Sequence, residues 1–225
     1  LRDLNIILSK HYPMNDNAFR FWLALKAIPG IGHATFSNLV ERFGSPSMVF
    51  SAAESDLCSC PGINKTIARS IINFKDWDKI SRDLEMIDKL GIQIITFQDE
   101  CYPSNLLNIY DRPAFLYALG TLHKDEIPIA VVGSRRATPY GKYTAEKISR
   151  DLALSGITIV SGLARGIDSC AHRGALSVSQ RTIAVLGCGL NVIYPPENKN
   201  LFKEISEIGA VISEFPLDTK PMPFH

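Results

Sequence analysis

An apolar run that ends in a glycine-containing turn constrains the fold of this chain more than any other segment. Residues 156–160 (G-I-T-I-V) lead directly into residues 161–168 (S-G-L-A-R-G-I-D), after which a helical pattern begins. Strands joined to helices by such turns are typical of α/β sheets. The amides of the turn and the partial positive charge at the following helix N-terminus favour an anion. The segment therefore predicts a strand, a phosphate-binding turn and a helix.

The composition predicts a protein with one larger core, a smaller unit and no membrane span. The chain has 225 residues, of which 46% are hydrophobic, and charges interrupt every apolar stretch before it reaches the roughly 20 residues that a bilayer requires. No cleavage signature follows the apolar residues 4–8, so we expect no signal peptide. The five cysteines lack the C-x-x-C spacing of zinc or redox sites. We expect a cytoplasmic protein with reduced thiols and no bound metal.

Basic residues are concentrated in one part of the sequence, although the net charge of the whole chain is only +1. Residues 130–181 contain three acidic residues and eight basic ones. The basic residues are Arg135, Arg136, Lys142, Lys147, Arg150, Arg165, Arg173 and Arg181. Such a cluster either binds a polyanion or covers solvated helix faces. Its overlap with the turn at residues 161–168 favours an anion.

Residues 1–88 predict a small all-α domain, in which residues 1–13 form an N-terminal tail. Apolar residues recur at helical spacing, and two P-G-I turns interrupt them at residues 29–31 and 61–63. Both turns resemble the hairpin of a helix-hairpin-helix or SAM-like domain, whose amides hold a DNA phosphate in many proteins. Asn64 stands where a second complete motif would carry glycine. The sequence leaves open whether this domain contacts DNA or forms a packing module that docks another protein.

Residues 89–225 predict a Rossmann-like α/β domain with a mainly parallel, doubly wound sheet, because short β-branched runs alternate with helical segments. The strands are almost continuously apolar, so both faces of the sheet should be covered. The predicted strands are residues 92–97, 115–118, 129–132, 158–160, 183–186 and 210–212. The predicted helices are residues 140–154, 169–176 and 199–208.

Three predicted loops at the carboxyl edge of this sheet carry phosphate-binding chemistry. They contain residues 133–138 (G-S-R-R-A-T), residues 161–168 (S-G-L-A-R-G-I-D) and residues 187–189 (G-C-G). The planar fork of arginine binds phosphate through two charged hydrogen bonds, and serine and threonine hydroxyls add further donors. Ligands of open α/β sheets bind at this edge. The three loops therefore predict one anion-binding site.

None of these loops has a dinucleotide or P-loop fingerprint. The G-x-G of Gly187 and Gly189 is followed by Val192 at the position of the third glycine, and no G-x-x-x-x-G-K-[ST] occurs. Asp168 and His172 are spaced for one helix face and would suit acid–base chemistry. An equally good interpretation is that Asp168 caps the following helix and that His172 is packed in the interior or contacts a phosphate. No second carboxylate or nucleophile completes a catalytic set, so we expect a binding protein without a cofactor rather than an enzyme.

The longest motifs resemble those of the DNA-processing protein A family, DprA/Smf. They are G-S-R-R-x-T-x-Y-G at residues 133–141, S-G-L-A-R-G-I-D-x-x-A-H-x-G-A-L at residues 161–176, A-V-L-G-x-G-L at residues 184–190, Y-P at residues 194–195 and S-E-F-P at residues 213–216. The resemblance covers roughly residues 91–225, and the helical domain is also similar to the N-terminal domain of that family.

This resemblance implies an extended Rossmann fold that binds single-stranded DNA and forms a homodimer. It also implies that the protein helps to load the RecA recombinase on DNA that enters the cell in natural transformation. Together with the loop chemistry, it gives a set of candidate DNA- and phosphate-binding residues. They are Gly133, Ser134, Arg135, Arg136, Thr138, Ser161, Gly162, Ala164, Arg165, Gly166, Asp168, His172, Gly187 and Gly189.

The C-terminal part of the sequence departs from the family pattern. Family members usually continue past S-E-F-P with an Arg- and Asn-rich motif, and many carry a winged-helix-like domain, so we expect the sequence to stop short of the end of the Rossmann unit. The main rival is an enzyme of the lysine-decarboxylase-like group, which cleaves nucleoside monophosphates on a related fold. The G-G-x-G-T loop and matching glutamate of that group are not found here.

Overall fold

The computed structural model describes residues 16–222, so the predicted tail at residues 1–13 lies outside the described residues. The chain separates into two units, one that ends at Glu85 and one that begins at Met86. Each unit has its own set of buried apolar side chains. Over residues 16–222, no helix is both long enough and apolar enough to cross a membrane.

The described part of the first unit is helical. Its buried side chains include Phe36, Leu39, Leu57 and Ile71, which are fully enclosed. The helices, the last of which runs across the division between the units, are α1 (Asp16–Ala27), α2 (His33–Phe43), α3 (Pro46–Phe50), α4 (Glu54–Cys58), α5 (Lys65–Ile72) and α6 (Trp77–Lys89).

The two P-G-I turns of this unit pack against each other's helices. Gly30 and Gly62 have positive φ angles of 89° and 83°, which glycine adopts without steric cost. A methyl group on Gly30 would lie 2.9 Å from Ile67 Cδ1, and one on Gly62 would lie 2.9 Å from Thr35 Oγ1. Thr35 and Ile67 are each the third residue of the helix after a turn. The two motifs therefore pack reciprocally, and Asn64 caps α5 by accepting the Ile67 amide at 2.9 Å.

The second unit contains a six-stranded sheet and the helices that connect its strands. Its elements after α6 are β1 (Gln93–Thr96), α7 (Ser104–Leu107), β2 (Phe115–Gly120), β3 (Pro128–Ala130), α8 (Pro139–Leu154), β4 (Thr158–Ser161), α9 (Ile167–Leu176), β5 (Thr182–Leu186), a 3-10 helix (Pro196–Asn198), α10 (Lys199–Ile208) and β6 (Ala210–Ser213).

The strands lie in the order β1-β2-β6-β5-β4-β3. Strands β3, β4, β5 and β6 run parallel, with Val160 opposite Ile183 between β4 and β5. Strands β1 and β2 form an antiparallel pair, and β2 also runs antiparallel to β6. Each parallel strand is joined to the next by one of the helices α8, α9 and α10, as βαβ units require.

Both faces of the sheet contribute to the core. Ile159 of β4 packs with Ala171 on the face that α8 and α9 cover. The next residue, Val160, points to the opposite face, where Ile183 packs with Tyr102 from the segment between β1 and β2. The structure confirms the predicted α/β, Rossmann-like fold class, and each of the six predicted strands and three predicted helices forms close to its expected bounds.

Candidate nucleic-acid interface

Three loops meet at the carboxyl edge of the parallel strands. The first loop (residues 131–138) follows β3, the second loop (residues 162–166) follows β4, and the third loop (residues 187–195) follows β5. Because β3, β4 and β5 are parallel neighbours, their carboxyl ends lie side by side. The structure thus brings together the three stretches in which the sequence predicts phosphate-binding residues.

The first and second loops touch through their backbones. The Ile167 amide donates to the Ser134 carbonyl at 3.3 Å. Gly166 has a φ angle of 83°, and a methyl group there would lie 3.0 Å from the Cα of Arg135 and closer still to the Ser134 oxygen. Gly133 faces the Ile167 side chain, and a methyl group on Gly133 would lie 2.7 Å from Ile167 Cγ1. Two of the predicted glycines therefore serve the close approach of these loops.

The second loop is braced from inside the protein. Leu163 is fully buried and has a φ angle of 56°, which is unfavourable for a residue with a side chain. The Asn198 Nδ2 group donates to the Leu163 carbonyl at 2.8 Å and to Ser169 Oγ at 2.9 Å. Ser169 Oγ in turn donates to the Ala164 carbonyl at 2.6 Å. This buried network holds the loop in one conformation.

Two backbone amides of the second loop remain available to a ligand. The Ala164 amide donates to Asp168 Oδ2 at 3.4 Å, so Asp168 acts as an internal acceptor and is itself buried. The amides of Arg165 and Gly166 have no acceptor among residues 16–222. They lie just before α9, where the helix dipole adds a partial positive charge. This part of the loop has the geometry of an anion site.

The first loop supplies exposed arginines. Arg135 and Arg136 are both exposed, and neither guanidinium forms an ion pair within the described part of the chain. Ser134 Oγ accepts the Arg136 amide at 3.1 Å, and Thr138 Oγ1 caps α8 by accepting the Gly141 amide at 3.1 Å. The hydroxyls therefore order the loop, and each keeps its own proton for donation.

The third loop is packed against the segment that follows β6. The Gly189 amide donates to the Thr219 carbonyl at 3.0 Å, and a methyl group on Gly189 would lie 3.0 Å from Leu217 Cα. Gly189 is buried and Gly187 is partly buried. The predicted phosphate contact at Gly189 is therefore replaced by a packing role, because its amide is already bonded.

Two other predicted residues lie inside the protein. Ser161 is 2% exposed, and its hydroxyl donates to the Val131 carbonyl at 2.6 Å. His172 is fully buried, and its Nδ1 atom bonds with Thr182 Oγ1 at 2.7 Å. Burial lowers the pKa of His172 to about 3, because a charged imidazolium loses its hydration there. A buried, neutral ring supports neither phosphate contact nor acid–base catalysis, so both side chains take structural roles.

The neutral state of His172 predicts a pH-dependent loss of stability. The unfolded chain takes up a proton at this residue as the pH falls below 6.5, whereas the folded protein does so only near pH 3. The stability from this group is thus complete above pH 6.5 and is lost as the pH falls towards 3. We expect about 2 kcal/mol of it to be lost between pH 7.5 and pH 5.

Urea unfolding of the wild type and of His172→Gln at both pH values measures this contribution. The variant should lose less unfolding free energy on acidification than the wild type, by about 2 kcal/mol. Equal losses in the two proteins would show that His172 is protonated in the folded state as readily as in the unfolded chain.

Three residues of the site were not singled out by the sequence analysis: Leu163 as a left-handed residue, Glu197 and Asn198. Arg165 Nε donates to Glu197 Oε1, and Arg165 Nη2 donates to Glu197 Oε2 at 3.1 Å. Glu197 lies 32 positions after Arg165, in a short helix that has no glycine-rich motif. Nothing in the local pattern therefore signals that this segment supports the second loop.

Two protein families match the chain, each over its own range of residues. The DNA recombination-mediator protein A family matches residues 93–225, a range that holds all three loops. The chain belongs to this family. The SAM-like helix-hairpin-helix tandem family matches residues 23–74, where the two reciprocal turns lie. The chain is therefore a member of a family of DNA-processing and recombination proteins with a helix-hairpin-helix domain ahead of the Rossmann-like unit.

Named relatives and solved structures agree with this family. Protein Smf from Synechocystis is 38% identical over 213 residues, which cover 92% of this chain and 54% of that protein. The X-ray structure of DNA processing protein A (DprA) from Streptococcus pneumoniae matches with a TM-score of 0.75 and 30% identity, over 92% of this chain and 71% of that chain.

A further DNA processing protein A, from Helicobacter pylori, has a structure described for its single-stranded DNA binding mode. It matches with a TM-score of 0.50 and 33% identity, over 59% of this chain and 60% of that one. The present chain spans about half the length of the curated relatives that it matches.

Proposed function

We propose that the carboxyl edge of the sheet where the first, second and third loops meet, the three-loop edge, binds the phosphate backbone of single-stranded DNA. The binding does not depend on the base sequence. The observation that carries the proposal is the position of Arg135 and Arg136 beside the amides of Arg165 and Gly166. Both arginines are exposed, and neither these guanidiniums nor these amides have a partner among residues 16–222. Arginine forks and helix N-terminal amides both bind phosphate. Contacts of this kind position a nucleic acid but carry no sequence information.

Two further observations favour a single strand over a duplex. Tyr140, at the start of α8 and next to the first loop, is 78% exposed, so a base could stack on its ring. Stacking needs bases that are not already paired within a duplex. The Helicobacter pylori relative, which shares this fold, is described as binding single-stranded DNA.

Replacement of Arg135 by alanine tests the proposal. Arg135→Ala should weaken binding of a fluorescent oligo-dT about tenfold at low salt, because one charge-assisted phosphate contact is lost. The loss of affinity should be similar for oligonucleotides of other sequences, since a contact to phosphate does not depend on the identity of the base. Fluorescence anisotropy of the labelled strands measures both effects.

Arg150→Ala is the matched control for this experiment. Arg150 is also exposed and lies on α8, but it pairs with Asp151 and lies in the half of the helix away from the first loop. This variant loses the same charge and should bind oligo-dT almost as the wild type does. Equal affinity of Arg135→Ala and wild type would remove the first loop from the binding site.

Membership of this family extends the proposal to partners. We propose that the protein acts in the cytoplasm as a homodimer and helps RecA to load on the bound strand. The support is the resemblance of its motifs to DprA/Smf. Sedimentation of the purified chain tests the homodimer, and a monomer would contradict it. Sedimentation of RecA and oligo-dT with and without the chain tests the second partner, and an unchanged amount of RecA on the DNA would contradict that role.

The proposed role is binding rather than catalysis. Asp168 accepts a loop amide and His172 is enclosed, so neither side chain is placed for proton transfer to a ligand at the exposed loops. Incubation of the purified protein with nucleoside monophosphates should leave them intact. Release of the free base would instead favour an enzyme of the lysine-decarboxylase-like group.

A further inference from the structure

Arg165 differs from the other two arginines of the site because its guanidinium already binds a carboxylate of the same chain. The Nε and Nη2 groups of Arg165 both donate to Glu197, the second at 3.1 Å. Both side chains are about half exposed, 54% for Arg165 and 52% for Glu197, so the pair faces solvent. The contact lowers the pKa of Glu197 and raises the pKa of Arg165, and both groups stay charged at neutral pH.

Glu197 is held near Arg165 by its neighbour in the chain. Asn198 is 3% exposed and bonds to the Leu163 carbonyl and to Ser169. These contacts fix the 3-10 helix Pro196–Asn198 against the second loop. The Glu197 carboxylate therefore has a high effective concentration at the Arg165 guanidinium, as any tethered partner does.

The carboxylate occupies the Nε–Nη2 side of the guanidinium, where two N–H groups point the same way. Two parallel N–H groups of arginine bind a carboxylate and a phosphate in the same bidentate manner. Arg135 and Arg136 carry no such partner in the described chain. A DNA strand that reaches the site thus meets two arginines without a carboxylate partner among the described residues and one, Arg165, that is already bound to Glu197.

We propose that Glu197 competes with the ligand for Arg165. Its carboxylate binds the guanidinium at the position that a DNA phosphate takes when the strand binds. The inference rests on the proposed function, and it makes Glu197 a residue that sets the affinity of the site. A phosphate next to one already held by Arg135 or Arg136 displaces the carboxylate. The free energy of the Arg165–Glu197 pair then opposes DNA binding, and Arg165 contributes less to affinity than its charge alone would give.

A double-mutant cycle with Glu197→Gln and Arg165→Ala tests this inference. Glu197→Gln keeps the size of the side chain and removes its charge. In anisotropy titrations of the 225-residue chain with oligo-dT, we expect this variant to bind about three to five times more tightly than the wild type, which is the upper part of the range for a bidentate surface ion pair. In the Arg165→Ala background the same change should have no effect, because no guanidinium remains to be released.

Glu207→Gln is the matched control, since Glu207 pairs with Lys203 on α10 and its loss should leave affinity unchanged. Weaker binding by Glu197→Gln would overturn the inference and show that the carboxylate orients Arg165 for the ligand. A gain that persists in the Arg165→Ala background would also overturn it, because a general loss of negative charge would then explain the result. If Glu197→Gln has no effect while Arg135→Ala still weakens binding, this inference fails and the proposed function stands.

Discussion

Replacement of Asn198 by alanine is expected to lower the free energy of unfolding by about 2–4 kcal/mol. The change removes two hydrogen bonds and leaves the buried Leu163 carbonyl without its amide donor, and an unsatisfied buried polar group costs about 1–3 kcal/mol. Leu163 would also lose the contact that holds its left-handed conformation. Urea unfolding measures the stability, and anisotropy with oligo-dT should show weaker binding because the second loop is no longer fixed.

Asn200→Ala provides the control for this prediction. Asn200 is exposed and lies two residues further along the chain in α10, so its loss should change stability by less than about 0.5 kcal/mol. If Asn198→Ala unfolds at the same urea concentration as Asn200→Ala, the buried network does not stabilise the loop in the way the distances indicate.

Replacement of Gly166 by alanine should be as costly, about 2–4 kcal/mol. Its φ angle of 83° is unfavourable for alanine, and the added methyl group would meet the backbone of Ser134 and Arg135. The backbone cannot yield as a flexible side chain does, so the first and second loops must separate. Affinity for oligo-dT should fall together with stability, because the arginines of one loop move away from the amides of the other.

Gly141→Ala tests whether the effect belongs to the position rather than to loss of glycine. A methyl group on Gly141 would lie 3.4 Å from Thr138 Oγ1, and Gly141 lies within α8, where alanine is favoured by up to about 1 kcal/mol. This variant should be as stable as the wild type or slightly more so. A Gly166→Ala protein that keeps both wild-type stability and affinity would contradict the close approach of the loops.

The fold was largely predictable from the sequence because its strands and helices have strong local patterns. Strands β4 and β5 are each followed directly by a glycine, and α8 begins at Pro139, a favourable first residue, after the N-cap Thr138. The order of the sheet was not predictable in the same way. Strand β2 pairs with both β1 and β6 in antiparallel orientation, and no local signal reports which distant strand becomes a neighbour.

The placement of the candidate residues was predictable for those that lie on the loops themselves, and not for those whose role depends on burial or on distant contacts. Arg135 and Arg136 lie exposed at the predicted edge. His172 looks like a ligand-contacting residue in its motif, yet it packs against Thr182, which the sequence places ten positions away on another element. Asn198 and Glu197 act on the second loop from more than 30 positions away. Such roles follow from tertiary packing, which spacing along the chain does not encode.

The salt dependence of oligo-dT binding tests the central claim most directly, namely that the three-loop edge holds successive phosphates of a single strand. Each phosphate contact should contribute about −0.7 to the slope of log K against log salt concentration. A triple variant in which Arg135, Arg136 and Arg165 are alanine should therefore bind more weakly and with a slope that is shallower by about 2. The same affinity and slope in the triple variant and the wild type would show that the DNA lies elsewhere on the protein.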